Sequence, residues 1–479
     1  MSQCQLPAQK SSKEEILKRL KDMKANDIKW EDGRCFCLVY QGHTELYEVM
    51  KEAYGLYISE NALNPAAFPS LKNMENEVVS MTKNLLGGTK QSCGNMTSGG
   101  SESILMAVKS AREWAKVHKP EIKEPEIIAP SSVHPACNKA CHYFGIKLIT
   151  VEVDHQTFEV SAQEMAKHMN ENTIQLFAST PSYPQGVIDP VSEIAQLAQK
   201  HGILCHVDAC IGGIVLAFYR KLGVKLPPFD LSVPGVTSLS VDLHKYGHAA
   251  KGASVILYNS RELRKHQFFC TTNWSGGIYI SPSILGTRPG GAIAAAWAVL
   301  NYLGEEGYKE IFTIVRSTTL KLQNGINQIE GLKVLGNPQA SILSIASDDC
   351  DIYELADLMG QKGWHFDRNT TPASLHLTVM YAHHRVSDQF LMDLKQCHQK
   401  AKSQNTKISQ VKKNFIHSMV RILPNKIIQQ VAGGQAKKGA SSSGSDQKTA
   451  GIYGLMGTLE QKGALKDVAV NLLDNLYDN

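Results

Sequence analysis

The sequence predicts an α/β fold: a mostly parallel sheet flanked by helices, with a smaller C-terminal α/β domain and an N-terminal arm. Two observations carry this expectation. Between residues 126 and 207, short apolar runs alternate with helical segments, the pattern of a sheet covered on both faces. Polar residues with useful chemistry stand at the ends of those runs, where open α/β sheets bind their ligands.

The bulk properties agree. A chain of 479 residues exceeds one ordinary core. We expect an arm over 1–60, a large domain over 61–330 and a small domain over 331–479. Hydrophobic content of 43% and charge of 20% describe a globular protein. A net charge of +5 without a strong basic run argues against nucleic acid as a partner. The 11 cysteines are scattered, and no second pair completes a zinc spacing beside Cys35/Cys37 or Cys137/Cys141. No metal is expected, and reduced thiols facing the cytosol fit best. The polar, lysine-rich stretch from Met1 to Leu20 has no signal-peptide core. Ala292 to Leu300, the longest apolar run, is too short to span a bilayer.

Residues 13–24 place Ile16, Leu17, Leu20 and Met23 at helical spacing opposite charges, an arm suited to packing on something else, such as a second subunit. Cys35 to Tyr40 reads as extended, Glu45 to Tyr54 as helical, the proline-bearing 61–70 as irregular, and Leu71 to Leu86 as helical. Ser98, Gly99, Gly100 and Ser101 then lead into a helix with an apolar stripe at Ile104, Ala107, Val108, Ala111 and Ala115. Glycines with free helix-start N–H groups suit a phosphate ester. An ordinary helix start competes with that reading.

Strands are expected at 126–129, 147–153, 173–179 and 203–207. The helix over 189–202 has Asp189 placed to cap it, Pro190 in the first turn and Gly202 at the C′ position. His134 follows the first strand and Asp208 the last. Taken singly, they also read as a loop histidine and a satisfied loop carboxylate. The apolar run Val236 to Val241 leads to His244 and Lys245. A buried ammonium is costly unless paired or neutralised. A desolvated lysine loses its proton easily and can join an aldehyde; a surface lysine past a strand end is the competing reading. Ala292 towards Leu320 is a helical bridge to a second unit over 331–422, with strands near 341–345 and 375–380. Residues 431–449 are Gly/Ser/Lys-rich and expected to be disordered, and 459–476 to be helical.

A phosphate cradle, a histidine, an aspartate and a lysine, in that order at successive strand ends, are what pyridoxal 5'-phosphate needs. Lys245 would hold its aldehyde carbon and Asp208 would pair with the ring nitrogen. His134 would stack on the ring, and Ser98 to Ser101 would hold the phosphate with His244 near it.

Several further runs follow the same order: Thr97-Ser-Gly-Gly-Ser-Glu-Ser103, Gly186-Val-Ile-Asp-Pro190, His206-Val-Asp-Ala-Cys210, His244-Lys-Tyr-Gly247, Gly276-Gly-Ile-Tyr279 and Arg288-Pro-Gly-Gly291. With these motifs the chain resembles, over nearly its whole length, the sphingosine-1-phosphate lyase family of fold-type I, group II pyridoxal-phosphate enzymes. The resemblance implies a homodimer with shared active sites. It also implies retro-aldol cleavage of a lipid phosphate, a phosphorylated sphingoid base, to a long-chain aldehyde and phosphoethanolamine. Tyr40 and Lys251 are implied near the substrate phosphate. The family commonly has a histidine where this chain has Asn64, which donates a hydrogen bond but carries no charge. Eukaryotic members often carry an N-terminal membrane anchor, and this chain starts just after its place. The implied location is the cytoplasm, or the cytosolic face of the endoplasmic reticulum. An amino-acid decarboxylase of the same superfamily and a non-catalytic scaffold are the competing readings; Asn64 is the one feature favouring the scaffold.

Overall fold

A computed structural model describes residues 6–40 and 42–404, with Lys466, Asp467, Ala469, Val470, Leu473 and Asp474, all helical, in the tail. The 431–449 loop, residues 405–422 and the rest of the 459–476 helix lie outside the described residues.

The main sheet contains β1 (Cys93–Thr97), β2 (Glu126–Pro130), β3 (Lys147–Val151), β4 (Thr173–Ser179), β5 (Leu204–Asp208), β6 (Ser238–Asp242) and β7 (Ser254–Tyr258). Its spatial order is β1-β7-β6-β5-β4-β2-β3. The pairs from β6 to β3 are parallel, and β7 runs against both β6 and β1. The expected strands are present, and Asp208 is the last residue of β5 rather than the first beyond it.

Burial on both faces explains why these strands read as unbroken apolar runs. Ile127, Ala129, Ile174 and Phe177 pack into one core with the helices Gly100–His118 and Ala136–Phe144. Ile128, Leu176, Ala178, Cys205 and Val207 pack into the opposite core, with the helices Val191–Lys200 and Gly213–Lys221. Gly202 adopts φ +59° just past the His201 C-cap, as expected.

Asp189 departs from expectation. Pro190 occupies the N-cap position and no side chain caps that helix. The buried Asp189 carboxylate instead accepts the Ser179 N–H at 2.7 Å, tying the loop to the end of β4.

After a short hairpin, β8 (Phe269–Thr271) and β9 (Tyr279–Ser281), helical residues run from Gly290 to Asn327, interrupted at Gly304 (φ 54°, ψ −169°). A second sheet follows, with β10 (Leu332–Val334), β11 (Ile342–Ser347), β12 (Asp367–Thr370) and β13 (Ala373–Thr378) in the order β10-β11-β13-β12, all antiparallel. The extended run near Cys35 joins this unit. Phe36 N–H donates to His365 O and Thr378 N–H to Phe36 O, and the Phe36 ring is buried in that core. The N-terminal helix Lys13–Met23 has a Ser12/Glu15 capping box and no buried residue.

Candidate active site

A cavity of about 440 Å³ lies beyond the carboxyl ends of β1, β4, β5 and β6. Ser98, Gly99, Gly100, Ser101, His134, Asp208, His244 and Lys245 all line it, so the structure gathers the expected cofactor residues in one place.

Asp208, His134 and Ser98 are held by identifiable bonds. Asp208 Oδ1 accepts the Cys210 N–H at 3.0 Å and the Ser240 hydroxyl at 3.2 Å. Ser240 also contacts His206 Nε2 at 3.2 Å, and His206 Nδ1 meets Ser238 at 2.9 Å. Burial holds His206 neutral, its pKa pushed down to about 4. His134 Nδ1 accepts the Ala136 N–H at 3.1 Å, and its ring stands edge-on to Tyr183. Gly99 and Gly100 start the helix with no side-chain cap bond. A Cβ on Gly100 would lie 2.7 Å from Asp242 Oδ2, so the close approach needs glycine. The donors of Ser98 are engaged, its N–H and hydroxyl each reaching Glu102 Oε2 at 2.7 Å.

The turn carrying Lys245 is fixed from both sides. Tyr246 donates its hydroxyl to Val379 O at 2.7 Å and accepts from the Ser341 hydroxyl at 2.6 Å, bonds to the second unit. His244 N–H donates to Ala253 O at 3.0 Å.

The charge state of Lys245 overturns one expectation. Its Nζ lies 2.9 Å from Asp242 Oδ2. Burial works to lower its pKa, but the Asp242 carboxylate outweighs burial and holds the amine above the ordinary lysine range. Without the cofactor it is a paired ammonium, not an easily deprotonated amine. Burial lowers the pKa of His244, whose Nδ1 has no partner.

The expected substrate residues are not among those lining the cavity. Lys251 Nζ donates to Leu38 O at 2.9 Å and lies 5.3 Å from the centre of the Tyr40 ring. Tyr40 is close enough to Lys245 to feel its charge, and burial pushes its phenol up to about 12. Asn64 is elsewhere: it is exposed, and its Oδ1 accepts the Ala66 N–H at 3.0 Å in its own turn. Within one chain the structure therefore does not bring Asn64 to the cavity.

Sequence reasoning missed Glu102, Ser179, Tyr183, Cys210 and Asp242, all of which line the cavity. Asp242 carried the same signal as Asp208, a carboxylate ending an apolar strand. Tyr183, between two prolines, carried none.

These residues fit a phosphorylated ring aldehyde. The cavity offers a glycine cradle, an unpartnered imidazole nitrogen, an oriented carboxylate and an amine. A family model described as the pyridoxal-dependent decarboxylase conserved domain matches residues 2–340. Sphingosine-1-phosphate lyase 1 of Rattus norvegicus is 45% identical over 394 residues, 82% of this chain and 69% of that protein. The Arabidopsis thaliana sphingosine-1-phosphate lyase is 41% identical over 471 residues, 97% of this chain and 79% of that protein. This chain belongs to the sphingosine-1-phosphate lyase family. A solved sphingosine-1-phosphate lyase from Burkholderia pseudomallei superposes on this family member with a TM-score of 0.81 at 36% identity, covering 87% of this chain and 96% of that one. Glutamate decarboxylase of Lactobacillus brevis, at 18% identity and a TM-score of 0.73, shares the fold. The architecture is fold-type I, and pyridoxal 5'-phosphate is the cofactor.

Proposed function

We propose that this chain is an aldehyde-lyase that cleaves phosphorylated sphingoid bases by retro-aldol chemistry to a long-chain aldehyde and phosphoethanolamine. The observation that carries the reading is the convergence of Lys245, Asp208, His134 and the Ser98–Ser101 loop on one cavity, in a chain whose lyase relatives match most of its length. Pyridoxal phosphate supplies the electron sink for the bond that breaks.

The chain's own residues bind and orient. Lys245 would be the attachment point for the cofactor. Asp208, aimed by Cys210 and Ser240, would pair with the ring nitrogen and favour its protonated form. His134 would cover the ring face. Gly99, Gly100, Ser101 and His244 receive the cofactor phosphate, with the Ser98 backbone shaping the loop. Lys251 and Tyr40 receive the substrate phosphate, Lys251 as a point charge.

A homodimer completes the site. On the N-terminal helix, Leu17, Leu20 and Met23 are exposed, and so are Phe269, Trp274 and Ile280 on the hairpin. Such apolar surface suits a subunit interface, and a second copy offers a route for Asn64 to reach a cavity. The same reading keeps the arm to residue 60, the cofactor-binding unit to 330 and a small unit beyond. Among the described residues, no helix is long and apolar enough to cross a membrane. The described cysteines are free thiols, which supports the cytoplasm or the cytosolic face of the endoplasmic reticulum.

The test supplies the purified, cofactor-loaded protein with phosphorylated sphingoid bases and, separately, a panel of amino acids. Aldehyde and phosphoethanolamine in equal amounts are expected. Carbon dioxide from an amino acid, with no aldehyde from the lipid, would overturn the reading in favour of a decarboxylase.

A further inference from the structure

We propose that Asp242 is a positioning residue for Lys245 in the cofactor-free protein, clamping its ammonium beside the phosphate cradle so that cofactor attachment must break this ion pair. The inference rests on the reading of Lys245 as the attachment point.

The geometry is specific. Asp242 ends β6, is 1% exposed, and has Oδ2 2.9 Å from Lys245 Nζ and 3.7 Å from His244 Nε2. Its Oδ1 has no hydrogen-bond partner. The carboxylate presses on Gly100, leaving no room for a side chain there. A buried carboxylate with one bare oxygen depends on the cation it touches, and that cation is Lys245.

The other titratable groups facing Lys245 do not replace Asp242. Tyr40 approaches from the N-terminal extended run and Cys210 from the loop after β5, and burial raises the pKa of both, leaving them neutral near pH 7. His244 and Lys251 come from the lysine's own turn. Burial lowers both of their pKa values, and neither brings negative charge.

An ammonium has no lone pair to attack with. Attachment requires it to lose one proton to solvent. The amine nitrogen then bonds to the aldehyde carbon, and the carbonyl oxygen leaves as water with the two amine hydrogens. Asp242 opposes the first of these events and so moves attachment to higher pH.

The test labels the cofactor-free protein with acetic anhydride over a pH series spanning the ordinary lysine value of 10.5. Peptide mass spectrometry reads acetylation at Lys245, with the exposed Lys200 as reference. In the parent, Lys245 should titrate above Lys200. In Asp242→Asn its midpoint should fall by at least about one pH unit, roughly a tenfold gain in labelling on the rising limb. Superimposed parent and variant profiles would overturn the proposal, as would a parent Lys245 titrating at or below Lys200. The parent profile decides alone if the variant does not fold. Cofactor uptake is followed separately by visible absorption; failure of the parent to take up cofactor at Lys245 overturns the attachment reading, whatever the labelling profile shows.

Discussion

At the scale of single residues, burial and partners decide what each carboxylate and amide can do. Asp189 is fully enclosed, and burial outweighs its bond to Ser179 and pushes its pKa up to about 7 from 3.8. A folded pKa above the unfolded one favours folding at low pH, and the benefit is lost as pH rises from 3.8 to about 7. Asp189→Asn keeps an acceptor for the Ser179 N–H and removes this titration. Its melting temperature should exceed the parent's by a few degrees at pH 8 and match it at pH 4; equal gains at both pH values would rule out the titration. Asn64 tests substrate recognition. If a second copy delivers it to the substrate phosphate, Asn64→His adds a group that charges below about pH 6.5. The KM for the phosphorylated substrate should then fall several-fold at pH 6 and converge with the parent at pH 8. A KM unchanged across pH would separate position 64 from phosphate binding.

At the scale of elements, what one segment leaves open another must cover. The helix Lys13–Met23 is well capped yet buries nothing, with Leu17 47% and Leu20 56% exposed. Replacing both leucines with glutamate should leave the fold intact, because neither belongs to a core, and should shift the protein towards monomer in sedimentation velocity. A double variant that stays dimeric would remove the arm from the interface. The Lys245 turn shows the opposite arrangement. Gly247 permits it, since a Cβ there would sit 2.5 Å from Leu243 O, and Tyr246 anchors it to the second unit. The turn of Lys245 is therefore positioned through Tyr246 by residues 95 and 133 positions downstream of that tyrosine, which no local pattern announces.

At the scale of the whole molecule, four buried histidines among the described residues have pKa values pushed down to about 4 by burial: His206, His248, His376 and His383. They stay neutral when folded and take up protons when unfolded, so stability is lost as pH falls from 6.5 towards about 4. The melting temperature should drop steadily through that window, starting above pH 5 before most carboxylates titrate; a flat profile from pH 7 to 5 would contradict it. Five strands of the main sheet and the meeting of His134, Asp208 and Lys245 at their ends were legible in the sequence, because two-faced burial writes continuous apolar runs and polar residues stand where they stop; the spatial strand order and the strands β1 and β7 were not. The ion pair of Lys245 was not, since the apolar run reads as ending at Val241, Asp242 stands just past it, and its approach to the lysine depends on the turn between them. Nor was the role of Asp189, whose capping signature was outweighed by a tertiary bond to β4. The central claim is that the cofactor is anchored at Lys245, and borohydride reduction of the loaded protein followed by peptide mapping tests it most directly. The account predicts the reduced cofactor on the peptide containing Lys245 and no fixed cofactor in Lys245→Ala; a label on another lysine, or one retained in that variant, would contradict it.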